Sequence, residues 1–189
     1  DPEGGQVLLP LSTQRTLLTS ADLEVDFDAS VSEDWQGAIR IAGLDRDDFD
    51  AETLVLDGTG RIVAGAQQQV TADLDFSAQG LAPADPGLAE ALGPAVTGEA
   101  AILWTQGSDG VNIERLRLDG EGYALSAHAI VEGLSTGLTV SGDGTARVED
   151  LSRAATLAGR PLSGAAEARI GGRYTVLEGG FDIQADVDG

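Results

Sequence analysis

The residues able to do chemistry in this chain are few and poorly matched. His128 is the only imidazole, and neither cysteine nor methionine occurs among the 189 residues. Without cysteine no Cys–His pair can form, and a Ser–His–Asp triad would need His128 in a pocket. His128 instead shares the parity of Ala124, Ser126 and Ile130, opposite an oily set, and so reads as a surface histidine on a strand. Paired carboxylates suit glycoside hydrolysis, yet with 32 acidic residues any two can be close, and closeness alone carries no signal. The densest acidic run is LDRDDFDAE, with Asp45, Asp47, Asp48 and Asp50. An EF-hand loop beginning at Asp45 requires Gly in sixth place and Glu in twelfth. The chain puts Asp50 and Leu56 there. The Gly-Asp turns also lack the nonapeptide repeat of calcium-binding β-helices. The run reads as a solvated acidic loop, open to adventitious divalent cations. No glycine cluster leads into a helix with a following Lys, so no phosphate cradle is expected. The chain reads as a non-enzyme with no cofactor and no structural metal.

What remains is an oily surface, and the elements that create it are strands. In ADLEVDFDAS, Leu23, Val25, Phe27 and Ala29 alternate with Asp22, Glu24, Asp26 and Asp28. Val70, Ala72, Leu74, Phe76 and Ala78 alternate with Thr71, Asp73, Asp75 and Ser77. Tyr123, Leu125, Ala127, Ala129 and Val131 share one parity, as do Phe181, Ile183, Ala185 and Val187. Side chains of a strand alternate between faces, so this pattern is a sheet with one apolar and one acidic face. Leaving a whole apolar face wet is not tolerable, because each fully buried Leu, Val or Phe gains roughly 1.5–3 kcal/mol. A second sheet, a partner or lipid must cover it. An ordinary β-sandwich is one solution; an open or half-closed sheet that binds acyl chains is another.

Composition narrows the partners. Hydrophobic residues make up 42% of the chain, which excludes disorder, but aromatics are only 4%, so any core is thin. The net charge is -21, every basic residue is Arg, and Arg115, Arg117 and Arg169 stand apart rather than forming a patch. Nucleic-acid binding needs clustered positive charge, and anionic membrane surfaces would repel this chain. An acidic outer face keeps a long sheet soluble and discourages edge pairing. Absence of Cys is compatible with an oxidising compartment. The start at Asp1 suggests a piece of a longer protein, with any targeting signal elsewhere. No apolar run reaches the length of a membrane span.

Residues 1–14 read as an irregular opening segment, broken by Pro2, Gly4, Gly5 and Pro10. Residues 15–189 read as all-β with two short helices. Strands are expected near 15–20, 22–31, 36–43, 52–57, 60–66, 68–80, 96–105, 110–119, 122–132, 136–141, 144–149, 163–171, 173–178 and 180–188. Turns are expected at Asp57-Gly58, Asp109-Gly110, Asp119-Gly120, Asp143-Gly144 and Gly179-Gly180. Helices are expected near 85–92, capped by Asp85 with Pro86 in the first position, and near 151–158, capped by Asp150. Glu114, Arg115 and Arg117 make one strand mixed, which points to a bulge. ETLVLDGTG (Glu52 to Gly60) returns as ERLRLDGEG (Glu114 to Gly122), and Gly93, Val96, Thr97, Gly98 and Ala100 are echoed by Gly159, Leu162, Ser163, Gly164 and Ala166. Such echoes suggest a supersecondary unit that stacks on its neighbours.

Three strings in order carry a family likeness: LRLDGEGYALSA (Leu116 to Ala127), GDGTARVEDL (Gly142 to Leu151) and LAGRPLSGAAEARIGGRYTVLEGGFDIQADV (Leu157 to Val187). With them the stretch from Gly80 to the C-terminus resembles the TamB family of the AsmA-like superfamily. The earlier ETLVLDGTGRIVAG fits the same style more loosely. The resemblance implies a long curled antiparallel or mixed sheet, a taco-like trough with a hydrophobic interior. It implies a periplasmic location in a Gram-negative bacterium, as part of an inner-membrane-anchored protein. It further implies movement of phospholipids between the inner and outer membranes, and support of outer-membrane protein assembly with TamA, a β-barrel partner. The alternative is a ligand-free structural or adhesive β-sandwich. On the trough reading, acyl chains are solvated by Leu23, Val25, Phe27, Val70, Leu74, Phe76, Ile102, Trp104, Tyr123, Leu125, Val131, Phe181 and Ile183.

Overall fold

A computed structural model describes residues 7–8, 16–65, 67–133, 139–175 and 180–188, with side chains described over 16–65, 67–133 and 139–173. The described strands join into one thirteen-stranded antiparallel sheet that does not close on itself. Its elements are β1 (Val7–Leu8), β2 (Thr16–Leu18), β3 (Ser20–Phe27), β4 (Asp34–Arg46), β5 (Phe49–Val63), β6 (Gln69–Gln79), β7 (Ala82–Pro83), α1 (Pro86–Leu92), β8 (Ala95–Thr105), β9 (Gly110–Gly120), β10 (Tyr123–Glu132), β11 (Thr139–Val148), a 3-10 turn at Leu151–Ala154 continuing into α2 (Ala155–Ala158), β12 (Ala166–Thr175) and β13 (Gly180–Asp188). Spatial order follows chain order, as an up-and-down meander does. The opening segment lies outside the described residues except for β1, which pairs with β2.

Two strands bend where a glycine takes the left-handed conformation. β2 and β3 both border β4, and the join at Thr19 donates its N–H to Ala42 O and Gly43 O, with Gly43 at φ 61. β6 and β7 both border β5, and Gly80 at φ 64 separates them. A side chain would strain both backbones. The bends fold the strand ends inward, and most of the enclosed core lies there: Thr16, Leu18, Ala51 and Leu81 are buried, and Leu18, at 2% exposed, is the largest fully enclosed side chain.

Three expected breaks are absent. The strand expected at 52–57 and the beginning of the one expected at 60–66 are joined in β5, which ends at Val63; Asp143-Gly144 lies inside β11; and β12 runs through Gly171-Gly172. None of Gly58, Gly144, Gly171 and Gly172 has a positive φ, so no hairpin turn forms at them. β3 ends at Phe27, short of the expected 31, because Asp28 turns the chain by accepting from Ser30 N (2.9 Å) and Ser30 Oγ (2.6 Å). Asp109-Gly110 and Asp119-Gly120 do fall at strand ends next to turns. The Gly179-Gly180 turn and the ends of strands expected at 136–141 and 173–178 reach outside the described residues.

The echo of ETLVLDGTG in ERLRLDGEG is not a structural repeat. The register sets Leu54 in line with Gly120 and Leu56 in line with Leu118, so the two strings run in opposite directions. The weaker echo holds only at the helix-ending glycines, because Val96, Thr97 and Gly98 lie within β8 whereas Leu162, Ser163 and Gly164 precede β12. Gly93 ends α1 and Gly159 ends α2, and β8 and β12 border β6 and β11, the long strands before each helix. Both helical connections are closed at the neck by one backbone bond, Leu81 N to Pro94 O (3.0 Å) and Leu151 N to Gly164 O (2.7 Å).

The helices form where their caps were expected. Asp85 Oδ1 accepts from Leu88 N at 2.8 Å, with Pro86 opening the helix. Asp150 Oδ1 accepts from Ser152 N at 2.9 Å. α1 and α2 lie side by side, with Thr156 Oγ1 donating to Glu90 Oε2 at 2.6 Å. Neither is long enough to persist alone. Asp85→Ala should therefore loosen the pair together, lowering stability by about 1 kcal/mol in chemical denaturation and raising amide exchange in both helices.

Candidate functional site

The register aligns apolar residues in five rows that cross the sheet on one face. One row runs Phe27, Trp35, Gly60, Ala72, Ile102, Ile113, Ala129, Gly142 and Gly172. The next runs Val25, Gly37, Gly58, Leu74, Ala100, Leu116, Ala127, Gly144 and Ile170. A third runs Leu23, Ile39, Leu56, Phe76, Gly98, Leu118, Leu125, Ala146 and Ala168. Ala21, Ile41, Leu54, Ala78, Val96, Gly120, Tyr123, Val148 and Ala166 make the fourth, at the helix end. Ile62, Val70, Trp104, Val111, Val131 and Val140 make the fifth, at the other end.

The rows stay unbroken because of one bulge. On both its borders, the register of β9 slips at Glu114 and Arg115. Ile113 and Leu116, three residues apart, would face opposite sides of a regular strand; the bulge puts both on the apolar face.

Of the thirteen residues expected to line a groove, the eleven with described side chains all fall in these rows. The side chains of Phe181 and Ile183 lie outside the described residues, though their backbones pair with Tyr174 and Gly172. The edge strand β3 differs from the rest: Leu23 is 72% and Val25 64% exposed, whereas Val70, Leu74, Phe76, Ile102, Trp104, Tyr123, Leu125 and Val131 are half-buried. Sequence reasoning missed Trp35, Ile39, Leu56, Leu116, Leu118 and Ile170. Trp35 precedes the strand expected from 36, and glycines among the others disguise the alternation.

The described strands all belong to this one sheet. Among the described residues, the helix pair covers the row of Leu54 and Tyr123. It roofs a cavity of about 520 Å3, walled by Ala91, Leu92, Arg153 and Ala154 above and by Leu54, Val96, Leu118, Leu125, Ala146 and Ile170 below. Its lining is almost wholly apolar, and the volume falls within the roughly 300–1,000 Å3 of small-molecule sites. Arg153 Nη1 bridges to Glu121 Oε2 at 3.1 Å. Burial raises the Tyr123 pKa above 10.0, against an opposing pull from Arg153, so its hydroxyl stays protonated.

The opposite face is polar and cross-braced. Arg61 pairs with Asp34 (3.0 Å), Arg147 with Glu167 (3.1 Å), Arg40 with Asp57 (3.4 Å) and Arg115 with Asp73 (3.4 Å). These exposed pairs favour the observed register more than they stabilise the fold. His128 Nε2 stands 2.8 Å from Asp143 Oδ1, which accepts from it, on this open face, where both are more than half exposed. Arg115, Arg117 and Arg169, separate in sequence, line one hollow of about 750 Å3 together with Ser126, His128 and Asp143. The acidic run is a tight turn in which Asp48 chelates Arg46 through two bonds (2.9 and 3.1 Å). No carboxylate or histidine cluster with metal-binding geometry occurs among the described residues.

Acid should separate charge from folding. The Arg61 guanidinium holds the Asp34 carboxyl below its ordinary 3.8, Arg46 does the same for Asp48, and Ser30 and Ser152 do so for Asp28 and Asp150. A depressed pKa stabilises fully above 3.8, and that contribution is lost only as pH falls through the lowered value. Net charge vanishes earlier, near pH 4.1. Light scattering should therefore rise near pH 4.1 with tryptophan emission unchanged, and unfolding should begin only below about 3.8.

No family model, curated protein or solved structure matches the chain. The described strands make one open antiparallel sheet whose apolar rows share a face, roofed by helices at one end.

Proposed function

We propose that this chain is a segment of a periplasmic lipid-carrying trough, non-enzymatic, whose apolar face solvates phospholipid acyl chains. One observation carries the reading: apolar rows cross a sheet that does not close on itself, and none of their described large side chains is fully buried. Strands of about ten residues at ~3.3 Å each are long enough to shelter an acyl chain. Each methylene taken from water contributes about 0.8 kcal/mol, so a shallow face made of many small contacts binds lipid repeatedly and weakly, as passage requires. The ligand-free β-sandwich needs a facing sheet, and the described strands supply only one. The resemblance to the TamB family extends the proposal. The segment would belong to an inner-membrane-anchored bridge of a Gram-negative bacterium that passes phospholipids toward the outer membrane and supports outer-membrane protein assembly with a TamA-like barrel.

The two tryptophans give the test. Trp35 and Trp104 both stand in the apolar rows. Phospholipid with brominated acyl chains should quench their emission, while the same lipid brominated in no chain should not. Photo-crosslinkers at Leu74 should capture lipid and those at Asp73 should not. Unquenched emission at saturating lipid, or adducts from Asp73 alone, would remove the proposal.

A further inference from the structure

The roofed cavity carries two enclosed donors that the protein itself does not use. The Tyr123 hydroxyl and Arg153 Nε are both buried, and neither has a hydrogen-bond partner. Both residues line the same apolar cavity. Native structures rarely leave enclosed donors unpaired, and such a pair in an otherwise oily pocket marks the place of a missing acceptor. The charge around it selects the kind of acceptor. Arg153 already gives Nη1 to Glu121, and its positive charge also acts on Asp150. One cation thus answers two carboxylates, and an arriving anion would add to a negative excess. A neutral oxygen would satisfy both donors and add no charge.

We propose that this cavity anchors an acyl ester: its carbonyl oxygen accepts from the Tyr123 hydroxyl and from Arg153 Nε–H, while the chain lies over Leu118, Leu125 and Ile170. The inference rests on the lipid-carrying reading and deepens it. A diester lipid is held at the helix end by its carbonyl, and the rest of the apolar face offers its chains no polar grip.

The experiment compares two lipids that differ only in that carbonyl. The purified chain is equilibrated with vesicles of dioleoyl phosphatidylcholine or of its diether analogue, re-isolated, and its bound lipid measured by mass spectrometry. The wild-type chain should retain about five-fold more of the diester, the effect of one or two net hydrogen bonds, and Tyr123→Phe should erase the preference. Because that substitution deletes an unpartnered hydroxyl, the lipid-free melting temperature should be unchanged or higher. Equal retention of both lipids by the wild type overturns the anchor and leaves the carrying reading standing. Retention of neither overturns both. An ester preference that survives in Tyr123→Phe, or a marked fall in its melting temperature, overturns the role of the hydroxyl.

Discussion

Replacing Leu74 or Leu125 with Arg should empty the sheet of lipid. Leu74 sits mid-row between Gly58 and the buried Ala100, on the open stretch of the apolar face. Leu125 sits between Leu118 and Ala146, beneath the helical roof. A charged side chain on the lipid face of a membrane barrel costs roughly 2–4 kcal/mol at mid-depth, which corresponds to about 30- to 1,000-fold in retention. The two variants should part company in stability. At Leu74 the guanidinium can reach past the open rim to water when lipid is absent, so the sheet persists with an unchanged far-ultraviolet spectrum. At Leu125 it meets the roof, and overpacking there costs about 1–3 kcal/mol, so its melting temperature should fall as well. Asp73→Arg, one residue away on the polar face, removes the pair with Arg115 but should leave lipid retention intact. Organic extraction and mass spectrometry of the three variants read the result. Wild-type lipid content in Leu74→Arg would place the lipid elsewhere.

Alternation made the two faces legible in the sequence because one parity of the strands is apolar and the other mostly polar. The pattern in β3, β6 and β10 needs no tertiary information: period two with opposite chemistries admits one orientation. The helix ends were legible for the same local reason, since Asp85, Pro86 and Asp150 act on backbone atoms within their own turn. Glycine is where local reading failed. Asp57-Gly58 and Asp143-Gly144 carry the dipeptide of a tight hairpin, but a turn needs positive φ and these glycines are extended. Gly58 is there because large side chains from other strands cross it, and Gly144 packs against the Ala127 side chain. Which residue shadows a glycine depends on neighbours far away in the chain. The bulge at Glu114–Arg115 is intermediate: the mixed strand pointed to it, but only the register shows that it keeps Ile113 and Leu116 on one face. Nor does spacing reveal that Tyr123 and Arg153, thirty residues apart, line one cavity, because α1 and α2 must first meet above it.

Trp35→Ala should cost about 2–3 kcal/mol, below the ~3–5 kcal/mol of a fully enclosed Trp because the ring is half-buried. The indole lies over Gly58 and Gly60, spanning from β4 across β5, and its Nε1–H donates to Thr71 O on β6 at 3.1 Å. One side chain thus ties three strands together. For a chain of this size the melting temperature should drop by roughly 4–12 °C. Trp35→Phe keeps most of the ring and loses the bond to Thr71, so it should cost only about 1 kcal/mol. The same contact fixes the outcome at Gly58. A methyl there would stand 2.9 Å from Leu74 Cδ2 and 3.2 Å from Trp35 Cη2, both side-chain atoms rather than fixed backbone. Gly58→Ala should therefore stay within about 1 kcal/mol of wild type, the better strand residue offsetting the crowding. A tight turn at Asp57-Gly58 would predict the reverse ranking, with Gly58→Ala severe and Trp35→Ala mild. Thermal melts of the three variants decide between an aromatic tie laid over a glycine strip and a hairpin.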